Sequence, residues 1–187
     1  MNITNHFLVA MPTMRNSDLE RSVIYMCEHN EKGSMGLELT QANDLTIGEM
    51  LIKADVEPIY PQNKPQSLSQ PVLLGGMTEQ DRGFIVHCPK DEYQASVKMT
   101  KDITITSSKD LLEVLGTEEE PSHYVIALGY MAWEAGELEQ ELMDNHWLLI
   151  EVDPQIIFDT PIEKRWEKAL GLLGVEPAKL SFQVGEA

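Results

Sequence analysis

Short apolar runs separated by polar turns set the rhythm of this chain. Runs at 7–11, 23–27, 72–74, 84–87, 103–106, 124–128 and 147–152 predict β-strands, since each is short and rich in β-branched or aromatic residues. Residues 103–106, Ile-Thr-Ile-Thr, alternate with period two, the pattern of a half-buried strand. Helical signals fall between the runs. Thr46 followed three residues later by Glu49 is a capping box, with Ile47, Met50 and Leu51 on one face. Ser108 precedes a short helix through Leu111, Leu112 and Leu115, stopped by Gly116. Residues 137–145 form a third helix, with Leu138 and Leu142 one turn apart. In the last helix Thr160 is the N-cap, Pro161 and Glu163 follow, and Ile162, Trp166, Ala169, Leu170 and Leu173 make the buried stripe. Gly174 ends it and Pro177 prevents its resumption.

The segment 57–71 holds Pro58, Pro61, Pro65 and Pro71 among polar residues, which predicts a long surface loop without regular structure. Strands and helices are intermixed without a regular strand–helix alternation. That order predicts an α+β domain, 1–187, rather than a doubly wound sheet.

Composition adds one asymmetry. The net charge of −17 is concentrated in residues 110–163, which contain no Lys or Arg. Nucleic-acid affinity rests on Lys and Arg displacing counterions, so direct DNA or RNA binding is disfavoured. The acid excess reads either as a solubility device or as a surface for a basic partner. The apolar start at 7–11 is too short for a signal peptide, and no uncharged stretch reaches the length of a membrane span. With only Cys27 and Cys88 there is no disulfide framework. A cytoplasmic protein with reduced thiols is expected.

The chemistry-bearing residues give two sites. The first is a ligand pocket of Arg21, Cys27, His29, Arg82 and His87. Cys27 and His29 stand two apart on one strand and share a face, His87 closes another strand, and the guanidinium groups could clamp a carboxylate or phosphate. Cys27 with a histidine base would be a nucleophile only in an electropositive, partly open pocket. The cysteine and histidine spacings match no zinc pattern, so no metal and no cofactor is expected. The second is a partner surface of Tyr130, Trp133, Glu134, Glu137 and Glu141, with the glutamates spaced to share one helical face that accepts a basic peptide.

Six stretches, FLVAMPTM, ERSVIYMCEHNEKGSMGL, LGGMTEQDRGFIVH, ALGYMAWEAGELEQEL, NHWL and FDTPIEKRW, occur in one order and span nearly the whole chain. On these the chain resembles the YqgE/AlgH family, built on the DUF179 domain. The resemblance implies one compact domain whose mostly antiparallel sheet folds toward a barrel with helices packed outside. It also implies a cytosolic bacterial protein of no established activity, associated with transcriptional control in pseudomonads. The chain departs from the family pattern at 38–42 (Glu-Leu-Thr-Gln-Ala), at Ala132 and Glu137, and at the terminal Gly185-Glu186-Ala187. The expected function is a non-catalytic binding or regulatory domain acting through protein contacts, with a small-molecule or enzymatic cleft near Arg21, His29, Arg82 and His87 as the alternative.

Overall fold

The computed structural model describes residues 1–15 and 17–174. Every apolar run named above carries a strand. The strands are β1 (His6–Ala10), β2 (Val23–Asn30), β3 (Gly33–Glu38), β4 (Ala42–Thr46), β5 (Pro71–Leu74), β6 (Thr78–His87), β7 (Ser96–Lys98), β8 (Thr104–Thr106), β9 (Tyr124–Glu134) and β10 (Trp147–Glu151). The helices are α1 (Ile47–Lys53), α2 (Pro65–Leu68), α3 (Lys109–Leu112), α4 (Glu137–Met143), α5 (Pro154–Phe158) and α6 (Arg165–Leu172).

The strands form one sheet in the order β10-β1-β2-β3-β9-β6-β8-β7, with β4 and β5 attached beside β9. All pairings are antiparallel except β5 with β9, and the sheet curls into a half-barrel with helices against it. The α+β architecture is as expected.

β9 is the hinge of the sheet. Its first half pairs with β6 and β5, and its second half leaves them to pair with β3. Gly129, at φ +76, makes the change of direction, in a region that L side chains rarely enter. Alternation along β6 and β9 feeds two apolar clusters: Phe84, Val86 and Ala127 pack in one, Ile85 and Ile126 in the other. A sheet covered on both faces explains why these runs read as continuously apolar.

The capping box of α1 is complete. Thr46 Oγ1 accepts the Glu49 N–H at 3.1 Å, and Glu49 Oε1 accepts the Thr46 N–H at 3.2 Å. α3 follows Ser108, and Gly116, at φ +79, ends its turn.

Two expectations are corrected. The segment 57–71 is not wholly irregular: Pro65 opens the one-turn helix α2, where its missing N–H costs nothing, and Pro71 begins β5. Backbone bonds from Ile59 to Glu113 O and from Lys64 to Gly116 O hold the loop against the domain. Thr160, in turn, does not cap the last helix. An earlier start wins, with Asp153 capping α5 by accepting the Gln155 N–H at 3.0 Å. The Thr160 hydroxyl donates back to Gln155 O, and a 3-10 turn (Ile162–Lys164) leads into α6. Trp166, Ala169 and Leu170 are buried on α6, whereas Leu173 is exposed. Pro177 and the terminal Gly185-Glu186-Ala187 lie outside the described residues. No helix among the described residues is long and apolar enough to cross a membrane.

Candidate functional site

The five pocket residues fall on two strands, Cys27 and His29 on β2 and Arg82 and His87 on β6, with Arg21 in the turn before β2, and no hydrogen bond, ion pair or ring contact joins any two of them. Arg21, in the turn before β2, lies 4.8 Å over the Trp166 ring and 3.2 Å from Glu167 Oε1. Arg82 is inside β6, not before it. Its guanidinium stands 5.0 Å over the Phe84 ring and 3.5 Å from Glu79 Oε2, which also accepts the Tyr130 hydroxyl at 2.6 Å.

His29 Nδ1 accepts the Ile3 N–H, so its Nε2 is the protonated nitrogen facing Glu139 Oε1 at 2.6 Å. That bond holds the Glu139 carboxyl below the ordinary carboxylate range. His87 is fully buried. Its Nδ1 faces Cys88 O at 2.8 Å and its Nε2 faces Thr106 Oγ1 at 2.7 Å. Burial lowers its pKa, so it stays neutral with both ring nitrogens engaged.

Cys27 is the extra residue of a β-bulge, between the pairs Met26–Gly36 and Glu28–Met35. The bulge interrupts the simple alternation that placed Cys27 with His29. Burial pushes the Cys27 thiol up to about 12, the opposite of what a nucleophile needs. Among the described residues no three His, Cys, Asp or Glu side chains gather as a metal ligand set.

The expected partner surface is not one helical face. Tyr130, Trp133 and Glu134 belong to β9, and α4 begins only at Glu137, after Gly136 turns the chain at φ +85. Glu137 accepts the Glu134 N–H at 2.7 Å. Glu141 Oε2 accepts two indole N–H groups, from Trp133 at 3.2 Å and Trp147 at 2.7 Å. Trp133 is buried, so this part of the surface works as a clasp between β9, α4 and β10.

The acids of 110–163 also divide in space. Glu118, Glu119 and Glu120 precede β9, Glu134 ends it and Glu137 to Asp144 follow it, while Asp159 and Glu163 return to the cavity that Glu120 lines. At about 3.3 Å per residue, a strand of this length separates its ends by roughly 30 Å even with a bend. Lys90 and Lys64 reach the first group, at 3.5 Å from Glu119 and 3.8 Å from Glu120.

Several cavities lie elsewhere among the described residues, two of them walled by buried charged side chains, and none of the five pocket residues lines either of those two. The larger, about 550 Å³, lies where α2, the start of β9 and the α5–α6 turn meet. Its buried polar groups are spent on the fold. Glu120 Oε1 accepts from Ser67, and its Oε2 accepts from Tyr124 and the Gly116 N–H. Arg165 is 5% exposed and donates to Leu39 O, Ile157 O and Thr160 O. Burial pushes its guanidinium down to about 10, still charged at neutral pH.

The second cavity, about 400 Å³, has a different character. Asp18, Leu19, Glu38, Leu74, Met77 and Met131 stand in its walls. Glu38, at the end of β3, is 4% exposed. Its Oε1 accepts from Ser22 at 2.8 Å and Thr40 at 3.3 Å, while its Oε2, which has no hydrogen-bond partner among the described residues, is not shut away from solvent. Burial pushes this carboxyl up, and Asp18 adds to the shift. Met77 at the mouth is 73% exposed. The turn that carries Asp18 is fixed, with Gln41 Nε2 donating to Asp18 O at 3.2 Å.

Sequence reasoning did not select Glu38 as a site residue. Alternation with Leu37 and Leu39 places it on a solvent face, and only turns distant in the chain cover it. The one available signal was an isolated acid in the run Leu37-Glu38-Leu39, at the point where the chain departs from the family pattern.

The family model described as DUF179, AlgH-like matches residues 7–178. UPF0301 proteins of Vibrio cholerae and Vibrio vulnificus are 54% and 55% identical over 187 residues, covering all of both chains. The solution structure of the AlgH protein from Pseudomonas aeruginosa superposes with a TM-score of 0.78 at 36% identity, covering 97% of this chain and 94% of that one. A Corynebacterium diphtheriae crystal structure shares the fold alone, with a TM-score of 0.67 at 19% identity over 90% of this chain and 85% of that one.

Proposed function

The chain belongs to the AlgH-like DUF179 family, and from that premise we propose that it is a non-catalytic, cytoplasmic binding domain acting through protein contacts. The observation that carries this reading is the 400 Å³ cavity, where the exposed Met77 and an apolar wall surround the largely buried Glu38, one oxygen of which has no protein donor among the described residues. Concave apolar pockets beside exposed methionines suit protein recognition, because the thioether adapts its shape to what enters. The groups a catalyst would use are committed elsewhere: Cys27 is held as a thiol, His87 is neutral and doubly bonded, and Arg21 and Arg82 sit in ion pairs. Any part in transcriptional control would then run through a protein partner rather than through direct contact with nucleic acid, given the absence of Lys and Arg from 110–163.

A photo-crosslinking residue tests the reading. With benzoylphenylalanine at position 77, irradiated cells are expected to yield one discrete adduct with a protein. The same residue at position 143, equally exposed on the acid-rich α4, is expected to yield none. Absence of the adduct at 77, or equal adducts at both positions, would overturn the proposal.

A further inference from the structure

The unpaired oxygen of Glu38 restricts what can enter the cavity. A carboxylate taken out of water needs a cation or hydrogen-bond donors on both oxygens to stay charged without penalty. Here the hydroxyls of Ser22 and Thr40 serve only Oε1, and Oε2 is left to water, which a ligand filling the cavity would displace. The second acid in the wall, Asp18, raises the demand for positive charge, and among the described residues no Lys, Arg or His stands in the lining to meet it. The remaining wall is apolar: Leu19, Leu74, Met77 and Met131. A ligand that fits this arrangement has an aliphatic stem for the methionines and leucines and a cationic head for the carboxylates. Long basic side chains have that form, since they bury their methylenes and keep the charge for a partner.

We propose that the Glu38 cavity is the receptor for a lysine or arginine side chain projecting from a partner protein. This rests on the reading of the domain as a protein-contact module and names the chemistry of the contact. The volume of about 400 Å³ lies within the range of ordinary ligand pockets, about 300–1,000 Å³. Entry of a cation also reverses the upward push that burial places on Glu38, because an opposite charge favours the ionised carboxyl. The geometry distinguishes this site from the acidic ends of β9. There the carboxylates are exposed to water, engaged by Lys64 and Lys90, or used by the tryptophan clasp.

The test is an NMR titration of the isotope-labelled full chain with N-acetyl-arginine methylamide and N-acetyl-lysine methylamide. The citrulline and norleucine analogues serve as neutral controls, and spermidine stands for free polyamines. The expected result is saturable shifts of the amides around Glu38, Gly76, Met77 and Met131 with at least one basic probe and weak or no shifts with the neutral ones. E38Q, which keeps an oxygen for Ser22, is expected to weaken that binding by about tenfold or more, the scale of a lost charge contact at an interface. D18N, at an exposed turn, is expected to weaken it in the same direction and supplies the comparison if E38Q does not fold. Equal shifts with charged and neutral probes, binding untouched by E38Q or D18N, or saturation by spermidine alone would overturn the proposal. A crosslink at position 77 combined with silent basic probes would refute the cation and leave the protein contact standing; loss of both would remove the underlying reading.

Discussion

Replacing Gly76 with alanine is expected to lower the thermal midpoint of the chain by about 6–12 °C, from a stability loss of about 3 kcal/mol at roughly 2–4 °C per kcal/mol for a domain of this size. A Cβ at position 76 would stand 2.1 Å from Tyr130 C, 2.2 Å from Tyr130 O and 2.4 Å from Met131 N. All three are backbone atoms of β9, so no rotamer change relieves the clash, and β9 must move away from the end of β5. That junction is tightly stitched. Gly75 N–H donates to Leu128 O at 2.8 Å, and Gly75 O accepts the Glu38 N–H at 2.8 Å. The same substitution therefore disturbs the strand end that carries the cavity's buried acid. Gly171→Ala is the control: nothing lies within 4 Å of a Cβ there, and alanine in α6 is expected to leave stability unchanged or raise it by about 0.5–1 kcal/mol. Differential scanning calorimetry of the two variants separates backbone approach from a general cost of removing glycine.

Arg165→Met is the second large effect. Arg165 ties three separate backbones together: Leu39 after β3 at 2.6 Å, Ile157 in α5 at 2.9 Å and Thr160 in the turn before α6 at 3.1 Å. Methionine fills much of the volume but leaves these carbonyls without their charged donor, which is expected to cost about 3 kcal/mol or more. Arg165→Lys is expected to recover only part of the loss, because an ammonium is a point charge and cannot span the fork that reaches three acceptors. Urea unfolding with an unchanged slope and a lowered midpoint is the expected readout for both. A midpoint equal to that of the parent would mean that α5 and α6 are held to the sheet by apolar packing alone.

Much of the fold was legible because the strands announce themselves by composition. The exceptions are β3, β4 and β7, which no apolar run announces; β3 reads as part of a motif but not as a strand. Gly33, Ser34 and Gly36 are poor strand formers, yet the close approach of neighbours needs them. A Cβ on Gly36 would meet the Ile24 side chain at 2.6 Å, and one on Gly33 would meet Trp133 O at 2.4 Å. Local propensity pointed one way and long-range packing decided the other. The glutamates after β9 show the converse error: Glu134, Glu137 and Glu141 have helical spacing, but a strand end, a glycine turn and a helix start occupy that interval.

The site was less legible than the fold. Arg21, His29, Arg82 and His87 are conspicuous by residue type, and each finds its partner on a different element. Glu38 is inconspicuous because its burial is made by the turns at Asp18 and Gly76, far from it in sequence. Charge arithmetic along the chain pointed to 110–163, but β9 puts Glu118 to Glu120 and Glu137 to Asp144 at its opposite ends, and Asp159 and Glu163 return to the first. Net charge fixes neither where a cavity opens nor which carboxylate is left without a donor.

The central claim is that Glu38 is the charged floor of a protein-docking cavity whose mouth is Met77. The most direct measurement is the yield of the position-77 crosslink in the E38Q background, with folding checked by circular dichroism. A fall of about tenfold or more in adduct, with the fold intact, is the predicted result. An adduct of undiminished yield in the folded E38Q protein would contradict the account.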